Sequence, residues 1–136
     1  MKRREFIVMT AAATALPLLA QAGGATYAPG LAQTELAAGK TVFLDFTATW
    51  CSTCATQARV IDALQTSNPA YVENISFIEV DWDDYGNGEL SQALKIPRRS
   101  TLVVLKGNQE LGRIVAGTSK KAIKELMDIA LNAAVA

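Results

Sequence analysis

The chain has 136 residues, one domain's worth, and half of them are hydrophobic, so a core can form and general disorder is excluded. Thirteen Lys and Arg balance thirteen Asp and Glu, a formal charge of zero that argues against nucleic acid as a partner. Histidine is absent, which removes His-dependent general bases, Ser-His and Cys-His catalysis and His-ligated metals, and two cysteines are too few for a disulfide scaffold or a four-Cys zinc site.

Residues 1–22 read as an export signal. Lys2, Arg3 and Arg4 form a charged start, Phe6 to Ala20 an apolar stretch, and Ala20-Gln21-Ala22 fits a small-x-small cleavage site. The apolar stretch is shorter than the roughly 20 residues a spanning helix needs, so the processed chain is not expected to cross a membrane. The adjacent arginines, followed by Glu5-Phe6-Ile7, resemble a twin-arginine signal. An ordinary Sec signal and a retained anchor are the alternatives. Cleavage would take three of the 13 basic and one of the 13 acidic side chains, leaving 10 against 12.

Residues 23–29, rich in Gly and Ala with Pro29 at the end, read as a linker, and residues 30–136 as the folded domain. Pro29 can open a helix that Leu31, Glu35, Leu36 and Ala38 continue to Gly39-Lys40. Thr41–Thr47 is a nearly continuous β-branched and aromatic run, the pattern of a buried central strand. Cys54 to about Thr66 is helical, with Ala58, Ile61, Ala63 and Leu64 at helical spacing, and Ser67-Asn68-Pro69 stops it. Ile75–Asp81 is a second strand. Asp83 to Gly88 is a polar loop into a short helix, Glu89–Lys95. Thr101–Lys106 and Leu111–Ala116 form a hairpin about Gly107-Asn108-Gln109. Ser119 caps a last helix to about Asn132, whose apolar face is Ile123, Leu126, Met127, Ala130 and Leu131. The order α-β-α-β-α-β-β-α describes an α/β domain, a mixed sheet with helices over it.

The chemistry lies in Cys51-Ser52-Thr53-Cys54, which follows a buried strand and opens a helix. There, unpaired backbone N–H groups and the positive end of the helix dipole favour a thiolate at Cys51, whose pKa would fall from about 8.5 toward 7 or lower. Cys54, one turn further on, is close enough to close a disulfide. Cys51 would attack a substrate disulfide and Cys54 would resolve the mixed disulfide.

Phe43-Leu44-Asp45-Phe46-Thr47-Ala48-Thr49-Trp50-Cys51-Ser52-Thr53-Cys54 resembles the active-site strand and elbow of the thioredoxin family, and the resemblance continues through Thr101–Lys106, the hairpin, Gly117-Thr118 and the last helix. It implies a thioredoxin-like fold, a mixed sheet of about four to five strands flanked by helices, and thiol–disulfide exchange. It implies that Asp45 serves in proton transfer beneath the resolving cysteine. Desolvation in an apolar strand agrees, since it raises a carboxyl pKa toward neutrality. Glu79 stands where many relatives carry Lys; facing Asp45 it would put two carboxylates in one pocket, and facing away it would be a rim glutamate. Trp50 belongs to the binding surface beside the thiols, or to a lid on the core.

Three departures from the family pattern bear on the site. Ser52-Thr53 replaces the common Gly-Pro, so either hydroxyl could bond a thiolate or serve the helix start. No His lies between the cysteines, which favours reduction or isomerisation over oxidation. By distance to the Gly107 turn, Ser100 stands where relatives have a cis-proline before the third strand, offering a trans peptide, a backbone N–H and a hydroxyl near Cys51. The alternative gives that place to Pro97. Arg98 and Arg99 flank the site, to lower the thiol pKa, to select acidic partners, or simply to be solvated.

The resulting expectation is an exported, periplasmic thiol–disulfide oxidoreductase that reduces or isomerises disulfides of client proteins. No nicotinamide or flavin motif is present, so it carries no cofactor and no resident metal, and electrons reach it through another dithiol of the membrane or periplasm. Two other classes compete: Cu(I), metal or cluster handling by the two thiolates, and a non-catalytic interaction module.

Overall fold

A computed structural model describes residues 24–136; the export-signal reading of residues 1–22 lies outside the described residues. The chain runs β1 (Ala25–Thr26), α1 (Leu31–Ala37), β2 (Thr41–Thr47), α2 (Ser52–Ser67), α3 (Ala70–Asn74), β3 (Ile75–Asp81), α4 (Trp82–Tyr85), α5 (Glu89–Ala93), β4 (Thr101–Lys106), β5 (Gln109–Val115) and α6 (Lys120–Val135). Five strands form one sheet in the order β1-β3-β2-β4-β5. The first three are mutually parallel, and β4 and β5 are antiparallel to their neighbours.

Side chains alternate across the sheet, and each set meets its own helices. Phe43, Phe77, Leu102 and Val104 point to one face, where Ile61 and Leu64 of α2, Tyr71 of α3, and Ile123, Leu126, Met127 and Ala130 of α6 cover them. Val42, Leu44, Phe46, Ile78, Val80, Val103 and Leu105 point to the other, under Ala32 of α1 and Leu90 of α5. A strand buried on both faces reads as an unbroken apolar run, which is why β2 was plain in the sequence. It also fixes Asp45. Two residues after Phe43, it must point at the face that α2 covers.

Three expectations change. The supposed linker is built into the sheet: Ala25 and Thr26 pair with Ile78 and Glu79, and Tyr27 is buried against Tyr85. Gly24 serves close approach rather than flexibility, since a Cβ there would lie 2.6 Å from the Phe77 carbonyl oxygen. Pro69 does more than end α2: it is the N-cap of α3, its fixed φ of −59° suiting a helix start. The stretch read as a polar loop begins with α4, capped by Asp81, whose carboxylate accepts from the Asp83 N–H at 2.8 Å.

Candidate active site

Cys51 ends the β2 elbow as the N-cap of α2, with extended backbone (φ −96°, ψ 114°), and its own sulfur is the cap, accepting from the Cys54 N–H at 3.2 Å. The expected capping by Ser52 or Thr53 therefore does not occur. Ser52 is exposed on the first turn, and among the described residues no hydrogen bond joins either hydroxyl to a sulfur. Both cysteines are free and sheltered, Cys51 5% and Cys54 1% exposed, in a small apolar cluster with Ala48 and Trp82.

Ser100 supplies the remaining contact. Its Oγ lies 3.2 Å from Cys51 Sγ and 3.1 Å from Cys54 Sγ. Its backbone is left-handed, φ 62°, and no peptide among the described residues is cis, so Ser100 rather than Pro97 faces the dithiol. The N–H expected near Cys51 is turned to the strand instead: it donates to the Phe46 carbonyl at 2.7 Å, while the Ser100 carbonyl accepts from the Ala116 N–H at 2.8 Å and from Gln57 Nε2 at 3.0 Å. Gln57 gives its second hydrogen to the Gly117 carbonyl at 2.9 Å. A fully buried glutamine thus ties α2 to both loops opposite the cysteines, holding two non-glycine residues, Ser100 and Ala116, at positive φ.

Burial pushes the Cys51 thiol up, but hydrogen bonding from the Cys54 side chain, Ser100, the Cys54 N–H and Arg99 outweighs it and brings the thiol down to about 6. The two arginines divide. Arg99 lays its guanidinium over Trp50, 4.4 Å from the ring centroid, beside Cys51. Arg98 instead braces the loop, donating from Nε to the Arg99 carbonyl at 3.1 Å. Trp50 is 59% exposed, a surface residue and no lid, and its Nε1 donates to both Asp83 carboxylate oxygens at 3.1 and 2.9 Å.

Between α2 and strands β2 and β3 lies a cavity of about 160 Å³ lined by Asp45, Glu79, Asp62, Ala58, Ile61 and Phe43 among others. Asp45 and Glu79 are register partners on adjacent strands, so they share this face, and Asp62 stands exposed at its rim. Asp45 is 7% exposed and its Oδ1 has no hydrogen-bond partner. Burial foremost, then the charges of Glu79, Cys51 and Asp62, push it up to about 7. Burial and Asp62 raise Glu79 as well. Each strand or helix brings a carboxylate and none brings a cation. No group of three or more Cys, Asp or Glu among the described residues is arranged to hold a metal ion.

Gln57, Asp62, Trp82 and Asp83 were not foreseen. Gln57 carries the clearest signal, a polar residue on the stripe Cys54, Gln57, Ile61, Leu64 that faces the sheet.

Together these groups can hold one sulfur ionised, keep a second ready one turn away, and take up a proton near neutral pH. The thioredoxin family model matches residues 27–129. The chain is 31% identical over 98 residues to a thioredoxin of Mycobacterium tuberculosis, covering 71% of this chain and 80% of that protein. It is 31% identical over 88 residues to a thioredoxin of Echinococcus granulosus, covering 65% and 76%. Among solved structures it resembles Trxlp of Edwardsiella tarda, with a TM-score of 0.64, 26% identity, and coverage of 74% of this chain and 95% of the other.

Proposed function

The chain belongs to the thioredoxin family and is a thioredoxin-type thiol–disulfide oxidoreductase, and on that premise we propose that it works outside the cytoplasm, reducing or isomerising disulfides of periplasmic proteins through Cys51 and Cys54. The observation that carries the dithiol reading is the free Cys51 sulfur at the mouth of α2, bonded by the Cys54 N–H and by Ser100 with Cys54 beside it.

In the forward direction the Cys51 thiolate attacks one sulfur of a client disulfide. The client S–S bond breaks, a Cys51–client disulfide forms, and the other client sulfur leaves as a thiolate. Cys54 then gives its proton to the Asp45 carboxylate and attacks Cys51 Sγ, releasing the second client thiolate. The client gains two electrons and the protein ends with a Cys51–Cys54 disulfide. An Asp45 pKa of about 7 suits a group that must accept and return a proton near neutrality. A Cys51 pKa of about 6 lies nearer a thioredoxin's roughly 7 than the roughly 3.5 of a strong oxidant, which supports reduction or isomerisation.

Export is supported by Lys2-Arg3-Arg4, the apolar residues 6–20 and Ala20-Gln21-Ala22, and it calls for a membrane or periplasmic dithiol as electron donor. The test combines insulin-disulfide reduction, with Cys51→Ser as the inactive control, and the equilibrium potential against a glutathione series. A potential near roughly −270 mV is expected of a reductant, and one near roughly −120 mV would reverse the direction. Cell fractionation with Arg3→Lys/Arg4→Lys tests the route: retention of the variant in the cytoplasm is expected, and cytoplasmic wild-type protein would overturn the location.

A further inference from the structure

We propose that the Ser100 hydroxyl is a catalytic hydrogen-bond donor that follows the negative charge from Cys51 to Cys54 during each turnover. This rests on the exchange reaction proposed above and adds a residue to it. The geometry is a bridge: one oxygen, fully buried, 3.2 Å from one sulfur and 3.1 Å from the other. A hydroxyl has one hydrogen to give and lone pairs to receive. Set between a thiolate and a thiol, it donates to the first and stands within reach of the second for the moment the charge moves. Neither Ser52 nor Thr53 makes such a contact, and the Cys54 N–H is directed at Cys51 alone.

The oxygen is also held in place. Ser100 N–H is bonded to Phe46, and its carbonyl to Ala116 and Gln57. With the backbone fixed on three sides, reorganisation reduces to a turn of the O–H bond, with no side-chain movement and no entry of water. In the resting dithiol the hydrogen points at the Cys51 thiolate. Once Cys51 is joined to the client it carries no charge. As the Cys54 proton passes to Asp45, the Ser100 hydrogen turns to the new Cys54 thiolate and stabilises it until it attacks Cys51 Sγ. The hydroxyl keeps its own proton throughout, so the two-electron balance of the exchange is unchanged. A proline in this place has neither a hydroxyl nor an N–H and offers nothing of the kind.

Stopped-flow reaction with an aromatic disulfide whose two thiolate leaving groups are coloured separates the steps, because the first is released by Cys51 and the second by Cys54. At about pH 7, where Asp45 is half ionised and can take the Cys54 proton, Ser100→Ala is expected to slow the second phase by about tenfold, the effect of losing one hydrogen bond to a charged sulfur, and the first phase a few-fold as the Cys51 pKa rises toward the assay pH. Ser100→Gly, which adopts a φ of 62° freely, serves as the backbone control and is expected to match Ser100→Ala. Slowing of the first phase only would reduce Ser100 to a fixed partner of Cys51 and overturn the proposal, as would a Ser100→Gly variant with wild-type rates in both phases. Release of neither leaving group by the wild-type protein would sink the exchange reaction itself, an outcome readable without either variant.

Discussion

Replacing Asp45 by Asn tests the acidic cavity through stability, independently of any activity. Asn has the shape of a protonated Asp and cannot ionise. In the native state Asp45 ionises only at about 7, against an ordinary value of 3.8, chiefly because its carboxyl is buried without a partner for Oδ1. Between those two values the unfolded chain has released a proton that the folded chain still holds, so the unfolded state binds fewer protons and folding stability falls as pH rises. The stability is fully present below about pH 4 and has been lost above about pH 7. At about 1.4 kcal/mol per tenfold in proton affinity, the loss reaches about 4 kcal/mol, an upper figure because the cavity admits water around a charged Asp45. The expected result from urea unfolding of the reduced proteins is that Asp45→Asn and wild type nearly coincide at about pH 4 and separate by about 2–4 kcal/mol at about pH 8, with the variant more stable and the slopes unchanged. A difference that stays constant across this range would refute the assignment of a neutral, uncompensated Asp45.

Other consequences can be checked separately. Cys51 should alkylate faster than Cys54 below about pH 7.5, with a midpoint near 6 in its rate profile; equal rates would exchange or erase the assigned roles. Arg99→Ala should raise that midpoint by up to about one pH unit while Arg98→Ala leaves it in place, because only Arg99 reaches the Cys51 sulfur; thiolate absorbance against pH measures both, and equal shifts would contradict the division between them. Gly24→Ala should destabilise the fold by about 1–3 kcal/mol, since the new methyl group would meet the Phe77 backbone where β1 joins the sheet; an unchanged urea midpoint would show that β1 contributes nothing.

What could be read in advance follows the range of the interactions. Strands β2 and β4 declare themselves because burial on two faces demands nearly unbroken apolar runs, β3 shows a weaker form of the same pattern, and the bounds of all three agree with expectation to the residue. The dithiol is a local motif on a local elbow. By contrast, β1 is two residues long and owes its strand character to β3, so nothing in Ala25-Thr26 announces it. The Ser100 N–H, expected near Cys51, is directed elsewhere for a similar reason: its acceptor is Phe46, 54 positions earlier in the chain. Ala63, placed on the inner face of α2 by its spacing, is exposed, while Gln57 and Gln65 are buried there, because the apolar positions alone did not fix how the helix is rotated. Asp62 shows how partial the signal was. Its spacing from Cys54 and Ala58 puts it on the cavity side of the helix, but its importance depends on Glu79 and Asp45 arriving from two strands.

The charges around the sulfurs are arranged in two layers, and the layers explain each other. Below lie Asp45, Glu79 and Asp62 with no cation among them; above lies Arg99, spread on Trp50 beside Cys51. Burial first, and then the negative charge of Glu79 where many relatives place a lysine, hold Asp45 neutral until about pH 7. A neutral Asp45 exerts no repulsion on the Cys51 thiolate while the dithiol rests. Ionised, the same carboxylate would work against the low Cys51 pKa that Ser100, Arg99 and the Cys54 N–H create. Below about pH 7, then, the acidic layer protects the nucleophile, and above it supplies the base for Cys54. The cost is borne in stability at alkaline pH, where Asp45 is charged without a partner. A cation in the lower layer would relieve that cost, but it would also ionise Asp45 early and set a carboxylate against Cys51 before the client arrives.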